Sequence, residues 1–231
     1  MDFTKEELLY LARIAEQGER FDEMIEFVKM LLKDCFDLNS QERSLFSIAF
    51  KNAVSKRRNS LRIMDSFNLK DDKKNSLSKK IILNKFRTQI DFELKSICND
   101  AISTIDSLLE RISSSENVIF LIKMKADYFR YMCEYDKTDT KRENIGKAEE
   151  FYRQAEEMAS ILNPANPIRL GLMLNFSVFY YEVMEVKEKA CEMARKSFDE
   201  AISELENIPE GSYKESSMIL QLFRDNLSLW T

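Results

Sequence analysis

Residues 41–67 read QERSLFSIAFKNAVSKRRNSLRIMDSF, with no glycine or proline to interrupt them. Apolar residues recur there at helical spacing, and Asn39-Ser40-Gln41-Glu42 just upstream offers a cap, so the stretch predicts one long helix. The same lack of punctuation extends outward. The chain has 231 residues with four glycines and three prolines, and its first proline is Pro164. Average chains carry about 7% Gly and 5% Pro, and multi-stranded folds place those residues at their turns. All-β and α/β architectures are thereby disfavoured, and an all-α protein is expected. At 44% hydrophobic residues, the chain can bury a substantial core.

Upstream, Thr4-Lys5-Glu6-Glu7 is a capping box that opens a helix ending near Gln17. Gly18 separates it from a second helix over 19–34, whose apolar side carries Phe21, Met24, Ile25, Val28 and Leu31. Downstream, the polar stretch 68–78 predicts a loop, 78–111 a fourth helix, and the serines at 113–115 a turn. Further helices are expected over 117–136, 143–162, 167–186, 188–207 and 212–230. Asn163-Pro164-Ala165-Asn166-Pro167 and Pro209-Glu210-Gly211 punctuate them, and Pro167 suits a helix's first turn. The sum is nine antiparallel helices. The last five have the lengths of a tetratricopeptide-type stack, without a 34-residue repeat of matching residues. No linker argues for independent domains, so 1–231 reads as a single domain, with helices one to four in 1–111 and five to nine in 112–231.

The chain has no histidine, which excludes Ser-His-Asp and Cys-His catalysis and His-ligated zinc. Cys35, Cys98, Cys133 and Cys191 are far apart and read as buried free thiols of a reducing compartment. No phosphate-cradling glycine loop occurs, because the glycines stand singly at 18, 146, 171 and 211. The carboxylates read as solvated helix faces, and neither a metal site nor a cofactor is expected. The N-terminus lacks an apolar leader core and no run of 18 uncharged apolar residues occurs, so a cytoplasmic protein without membrane insertion is expected, with the nucleus also open to it.

Net charge is −5, unevenly spread. Residues 51–90 hold 12 Lys+Arg against 3 Asp+Glu, and the remainder holds 23 against 37. A basic region in an acidic chain points to an anionic partner, or to a solvated basic helix face. Within it, Lys51, Arg58 and Arg62 are spaced by seven and four residues and fall along one line of the third helix. The fifth helix repeats the pattern with Lys123 and Arg130, with Asp127 on the same side and Tyr131 adjacent. Two arginines and a tyrosine hydroxyl suffice for a phosphate socket, since guanidinium forks bind its oxygens bidentately. Leu174, Asn175, Val178 and Glu182 line one side of the seventh helix, and Leu222, Asn226, Leu229 and Trp230 one side of the ninth. Asparagines amid apolar neighbours hold an extended peptide's backbone amides. Equally, the leucines read as ordinary core and the asparagines as caps.

Residues 43–52, RSLFSIAFKN, resemble the first signature of the 14-3-3 family. Residues 213–230, YKESSMILQLFRDNLSLW, resemble its second, and residues 163–182, NPANPIRLGLMLNFSVFYYE, are similar to the start of its seventh helix. The similarity covers nearly the whole chain and keeps the helix order. It implies nine helices forming a concave groove and a non-catalytic adaptor that binds phosphoserine or phosphothreonine peptides of client proteins. The family's phosphate grip is matched by Lys51, Arg58, Arg130 and Tyr131. Arg62 and Lys123 match further groove cations, and Asp127 an acid that orients the socket. Asn175 and Asn226 match the asparagines that bond the peptide backbone, and Leu174, Val178, Ile219, Leu222, Leu229 and Trp230 the apolar wall.

The resemblance also implies a homodimer, with the first helix packed on the third and fourth of its partner. Arg20 and Glu93 match a cross-subunit ion pair, and Ile14, Ser60, Met64 and Phe67 the apolar seam. A second pair is weakened, because Glu23 faces Gln89 where lysine is usual. Gly18 and Phe86 stand where alanine and tyrosine are common, and Leu61 where tryptophan is usual. The family's acidic tail does not lie within these 231 residues. Arg57-Arg58-Asn59-Ser60 fits a basophilic kinase site, and a phosphate on Ser60 would sit poorly at such a seam. Two rival readings are a phosphate-independent helical peptide scaffold and a nucleic-acid binder using residues 51–90. The pI near 5.2 argues against nucleic acid as a partner.

Overall fold

The computed structural model describes residues 3–33, 35–70, 77–136 and 140–231. Among the described residues there are nine α-helices and no strand: α1 (Lys5–Gln17), α2 (Phe21–Leu32), α3 (Ser40–Lys70), α4 (Leu77–Leu109), α5 (Ser115–Tyr135), α6 (Thr140–Ala159), α7 (Pro167–Glu182), α8 (Lys187–Glu204) and α9 (Glu210–Trp230). The all-α expectation holds.

The helix starts follow from local chemistry. The Thr4 hydroxyl accepts from the Glu7 N–H at 3.3 Å, and the Glu7 carboxylate accepts the Thr4 N–H at 2.8 Å. Asn39 and Glu42 make the same reciprocal pair before α3, both at 3.0 Å. Two donors that a helix start leaves unpaired are satisfied each time. Asn166 caps α7, its side chain accepting from the Ile168 N–H at 2.9 Å, and Pro167 follows in the first turn.

Some boundaries differ from expectation. Both ends of the predicted loop over 68–78 are helical, because α3 runs on to Lys70 and α4 starts at Leu77. Polarity alone does not stop a helix, and Asn68-Leu69-Lys70 contains neither the ring nor the glycine that would. Residues 71–76 lie outside the described part. The turn after α1 uses Gly18 at an ordinary φ of −79°, and Glu19 takes the left-handed conformation at φ 52°. α7 stops at Glu182, where Glu185 is left-handed at φ 56° and the Val186 N–H closes on the Tyr180 carbonyl at 2.9 Å. α8 ends at Glu204 in a 3₁₀ turn over Leu205–Asn207.

The chain divides into two compact units, one of Met1–Ser113 with Tyr135–Lys137 and one of Ser114–Glu134 with Thr138–Thr231. In the first, α1 packs on α2, α2 on α3 and α3 on α4. Phe46 and Phe50, both fully buried, meet edge to face at 5.3 Å. Leu61 is fully buried as well, so the position where the family usually carries tryptophan is core here. The Tyr135 hydroxyl donates to the Arg58 carbonyl at 3.2 Å in this unit.

In the second unit, α7 packs against α6, α8 and α9. One core there joins Leu170, Leu174, Ala194, Leu220 and Phe223. Another is aromatic: Tyr152 stacks on Phe176 at 5.0 Å and leans on Phe179 at 5.4 Å. That second cluster supports the site.

Candidate functional site

α5 sets Lys123, Asp127 and Arg130 one turn apart, with Tyr131 beside the last. Burial of these charges demands partners, and the second unit supplies them. Arg130 is only 5% exposed. Its Nε donates to the Tyr152 hydroxyl at 3.1 Å, its Nη1 lies 3.5 Å from the Glu134 carboxylate, and its Nη2 lies 3.6 Å from Asp127. Its guanidinium sits 4.5 Å over the Tyr131 ring. Burial works against the arginine's charge. The Tyr152 and Tyr131 hydroxyls and the Asp127 and Glu134 carboxylates outweigh it, and its pKa is raised well above the ordinary value.

Asp127 is held as closely as Arg130. It accepts from the Tyr152 hydroxyl at 2.5 Å and lies 3.0 Å from Lys123 Nζ. Both of its oxygens take the Asn175 side-chain N–H₂ at 2.9 Å. Burial pushes its pKa up, but the charges of Lys123 and Arg130 with the Tyr152 and Lys123 hydrogen bonds hold it below the usual carboxylate value.

Asn175 is half-buried in the middle of α7 and is not a cap. Its amide nitrogen faces Asp127, since the reverse orientation would set oxygen against carboxylate. Its carbonyl oxygen is thereby turned away, as an acceptor. On the same helix Leu174 is buried in the core, Val178 is half-buried and Glu182 is exposed. On α9, Ile219 and Trp230 pack against that core, and Trp230 stacks on Tyr181 at 4.4 Å. Asn226 is half-buried, whereas Leu222 and Leu229 are 50% and 80% exposed. The seventh and ninth helices thus present both readings of their leucines: Leu174 is core, and Leu222 and Leu229 face solvent.

In the first unit, α3 carries Lys51 exposed, Arg58 half-buried, and Arg62 exposed with its guanidinium on Asn59 at 2.9 Å. The same unit holds the residues expected at a dimer seam. Ile14, Phe67 and Phe86 are each about half exposed, and Met64 is buried. Arg20 bonds Glu23 within the chain, and Gln89 donates to Glu93 at 3.3 Å. The Ser60 hydroxyl donates to the Lys56 carbonyl at 3.0 Å.

Sequence reasoning missed Tyr152 and Glu134. Glu134 lies four residues after Arg130, a spacing that signals a helical ion pair. Tyr152 is 25 residues from Asp127 on another helix and sends no local signal. Among the described residues, no group of three Cys, Asp or Glu is placed to hold a metal, and no helix is long and apolar enough to cross a membrane.

Helices throughout the described residues, with a buried arginine and an asparagine fixed by hydrogen bonds, define an all-α protein with a buried polar cluster. Comparison with known proteins narrows that class. A family model described as "14-3-3 protein" matches residues 11–231. A "14-3-3 protein homolog" of Neospora caninum is 44% identical over 98% of this chain and 89% of its own length. Human "14-3-3 protein beta/alpha" is 42% identical over 100% of this chain and 94% of its own, and yeast "Protein BMH2" 42% over 100% and 86%. The chain belongs to the 14-3-3 family. Members of that family are adaptors and not enzymes, and so is this protein.

Proposed function

We propose that the protein binds phosphoserine or phosphothreonine peptides of client proteins and thereby regulates their activity, localisation or assembly. Lys51, Arg58, Arg130 and Tyr131 grip the phosphate, with Arg62 and Lys123 adding positive charge. Asn175 and Asn226 hold the extended backbone, and Leu174, Val178, Ile219, Leu222, Leu229 and Trp230, edged by Glu182, flank it. The observation that carries this reading is Arg130: a guanidinium buried and oriented through its Nε, whose terminal nitrogens make long contacts, 3.5 and 3.6 Å, to carboxylates among the described residues. Such a fork is stored donor capacity for a tetrahedral anion. Asn175 supports the backbone role, because its held amide presents an oxygen able to accept a peptide N–H.

The test is fluorescence polarisation of the peptide R-S-x-pS-x-P and its unphosphorylated twin against wild type and Arg130→Ala. Wild type should bind the phosphopeptide far more tightly than its twin. Arg130→Ala should cost about 2–5 kcal/mol, the loss on truncating one half of a buried charge pair. Equal binding of both peptides would instead favour the phosphate-independent scaffold.

The same reading includes a homodimer. Ile14, Phe67 and Phe86 supply exposed apolar surface, with Gly18, Ser60 and Met64 along the seam. On dimer formation Arg20 and Glu93 would exchange in-chain partners for each other. Glu23 and Gln89 lack the charge match that a lysine would give. An exposed ion pair contributes only about 0–1 kcal/mol, so association rests on the apolar contacts. Two linked sites would give bivalent clients avidity without new contacts. A cytoplasmic setting, with the nucleus open, fits the free thiols among the described residues.

A further inference from the structure

Tyr152 is fully buried, and its ring is clamped by Phe176 and Phe179. A phenol has one proton to donate, and this one goes to Asp127 Oδ1 at 2.5 Å. The hydroxyl oxygen is left as an acceptor and receives Arg130 Nε at 3.1 Å. One hydroxyl thus joins the two buried charges of α5, which face each other directly only at 3.6 Å. Asp127 in turn fixes the Asn175 amide at 2.9 Å.

Arg130 has three rotatable stem bonds beyond Cβ, and its charge alone does not choose which edge of the fork points outward. With Nε committed to Tyr152, the edge left for a ligand is the one carrying Nη1 and Nη2, which lie 3.5 Å from Glu134 and 3.6 Å from Asp127. We propose that Tyr152 is a positioning residue of the phosphate site: its hydroxyl sets the rotation of the Arg130 guanidinium and, through Asp127, the orientation of the Asn175 amide. This rests on the phosphopeptide reading above. It adds that phosphate grip and backbone grip are coupled through one buried phenol. Neither neighbour on α5 substitutes for it. Lys123 is a point charge at Asp127, and Glu134 lies on the Nη1 side.

The test is Tyr152→Phe, which keeps the ring between Phe176 and Phe179 and removes only the hydroxyl. Phosphopeptide and unphosphorylated twin are titrated against wild type, Tyr152→Phe, Arg130→Lys and the double variant. Tyr152→Phe should weaken the phosphopeptide about tenfold to a hundredfold, the loss that goes with a hydrogen bond to a charged group. The twin, which feels only the loss of orientation at Asn175, should weaken by about threefold or less. A merely structural tyrosine would weaken both peptides in proportion or neither. In the Arg130→Lys background the further loss should be less than threefold, because the fork that Tyr152 orients is gone.

If wild type discriminates and Tyr152→Phe binds like wild type, the positioning role is overturned and the phosphopeptide reading stands. If wild type itself does not discriminate, both fall together. Should Tyr152→Phe fail to fold, the wild-type protein decides by NMR. A slowly exchanging Arg130 Nε–H supports the role, and exchange as fast as at Arg62 overturns it.

Discussion

Arg130 on α5 is buried and bonded by Tyr152 and Glu134, whereas Arg58 on α3 is half-buried and Arg62 stands in solvent with Asn59 as its partner. Both helices place cations at helical spacing, and the proposed function draws on both. The difference lies in what stands around the charges. In the second unit, an aromatic core removes water from α5, so every charge there must be answered by a hydrogen bond and takes a fixed orientation. In the first, Lys51 and Arg62 stand exposed to water, although Arg57 between them is held by Asp22 and Glu93. Under the proposed function, α5 would supply fixed geometry and the exposed cations of α3 an attraction that adapts to the ligand.

The sharpest break of this contrast is Asp127→Ala. It leaves Lys123 and Arg130 without their common carboxylate and should destabilise folding by about 3–5 kcal/mol, read by chemical denaturation. Leu61→Ala, a core truncation in the first unit, should cost about 2–5 kcal/mol and leave the preference for phosphopeptide intact in whatever fraction folds.

The buried acid also gives a pH signature. Asp127's folded pKa lies below its ordinary value of about 4, so its contribution is present above that value and is lost as pH falls through the lowered one. Denaturation midpoints of wild type and Asp127→Asn should therefore differ by a constant amount from pH 7 to about 5. The gap should close in more acidic solution. A gap that opened only on acidification would reverse the sign.

Arg62→Ala tests the solvated half. Stability should stay within about 0.5 kcal/mol, while peptide association slows and its salt dependence flattens, as stopped-flow binding would show. The smallest effect is expected at Glu19, whose φ of 52° suits glycine. Glu19→Gly should change stability by under about 1 kcal/mol, since relief of the left-handed strain offsets the greater freedom of the unfolded chain.

Much of this was legible beforehand because helices write locally. The capping pairs Thr4/Glu7 and Asn39/Glu42, the cap at Asn166 and the cation spacing on α3 and α5 all lie within a few residues of one another. Where the sequence misled, the deciding signal was weak or distant. Residues 68–70 are polar enough to resemble a loop, yet hold nothing that breaks a helix. Asn175's place in the middle of α7 removes the cap reading, and the carboxylate it bonds is 48 residues away. Tyr152 sits among the charged residues of α6, and its importance comes from α5 and α7, which only the fold brings to it.

The central claim is that the site reads phosphate through a pre-set guanidinium fork on α5. The direct measurement is the ratio of phosphopeptide to unphosphorylated-peptide affinity in Arg130→Lys, which keeps the charge and removes the fork, set beside Lys51→Arg on the solvated helix. The account predicts that Arg130→Lys loses at least tenfold of the wild-type ratio, the scale of a hydrogen bond to a charged group, while Lys51→Arg keeps it. A wild-type ratio in Arg130→Lys would show that charge alone suffices and would contradict the account.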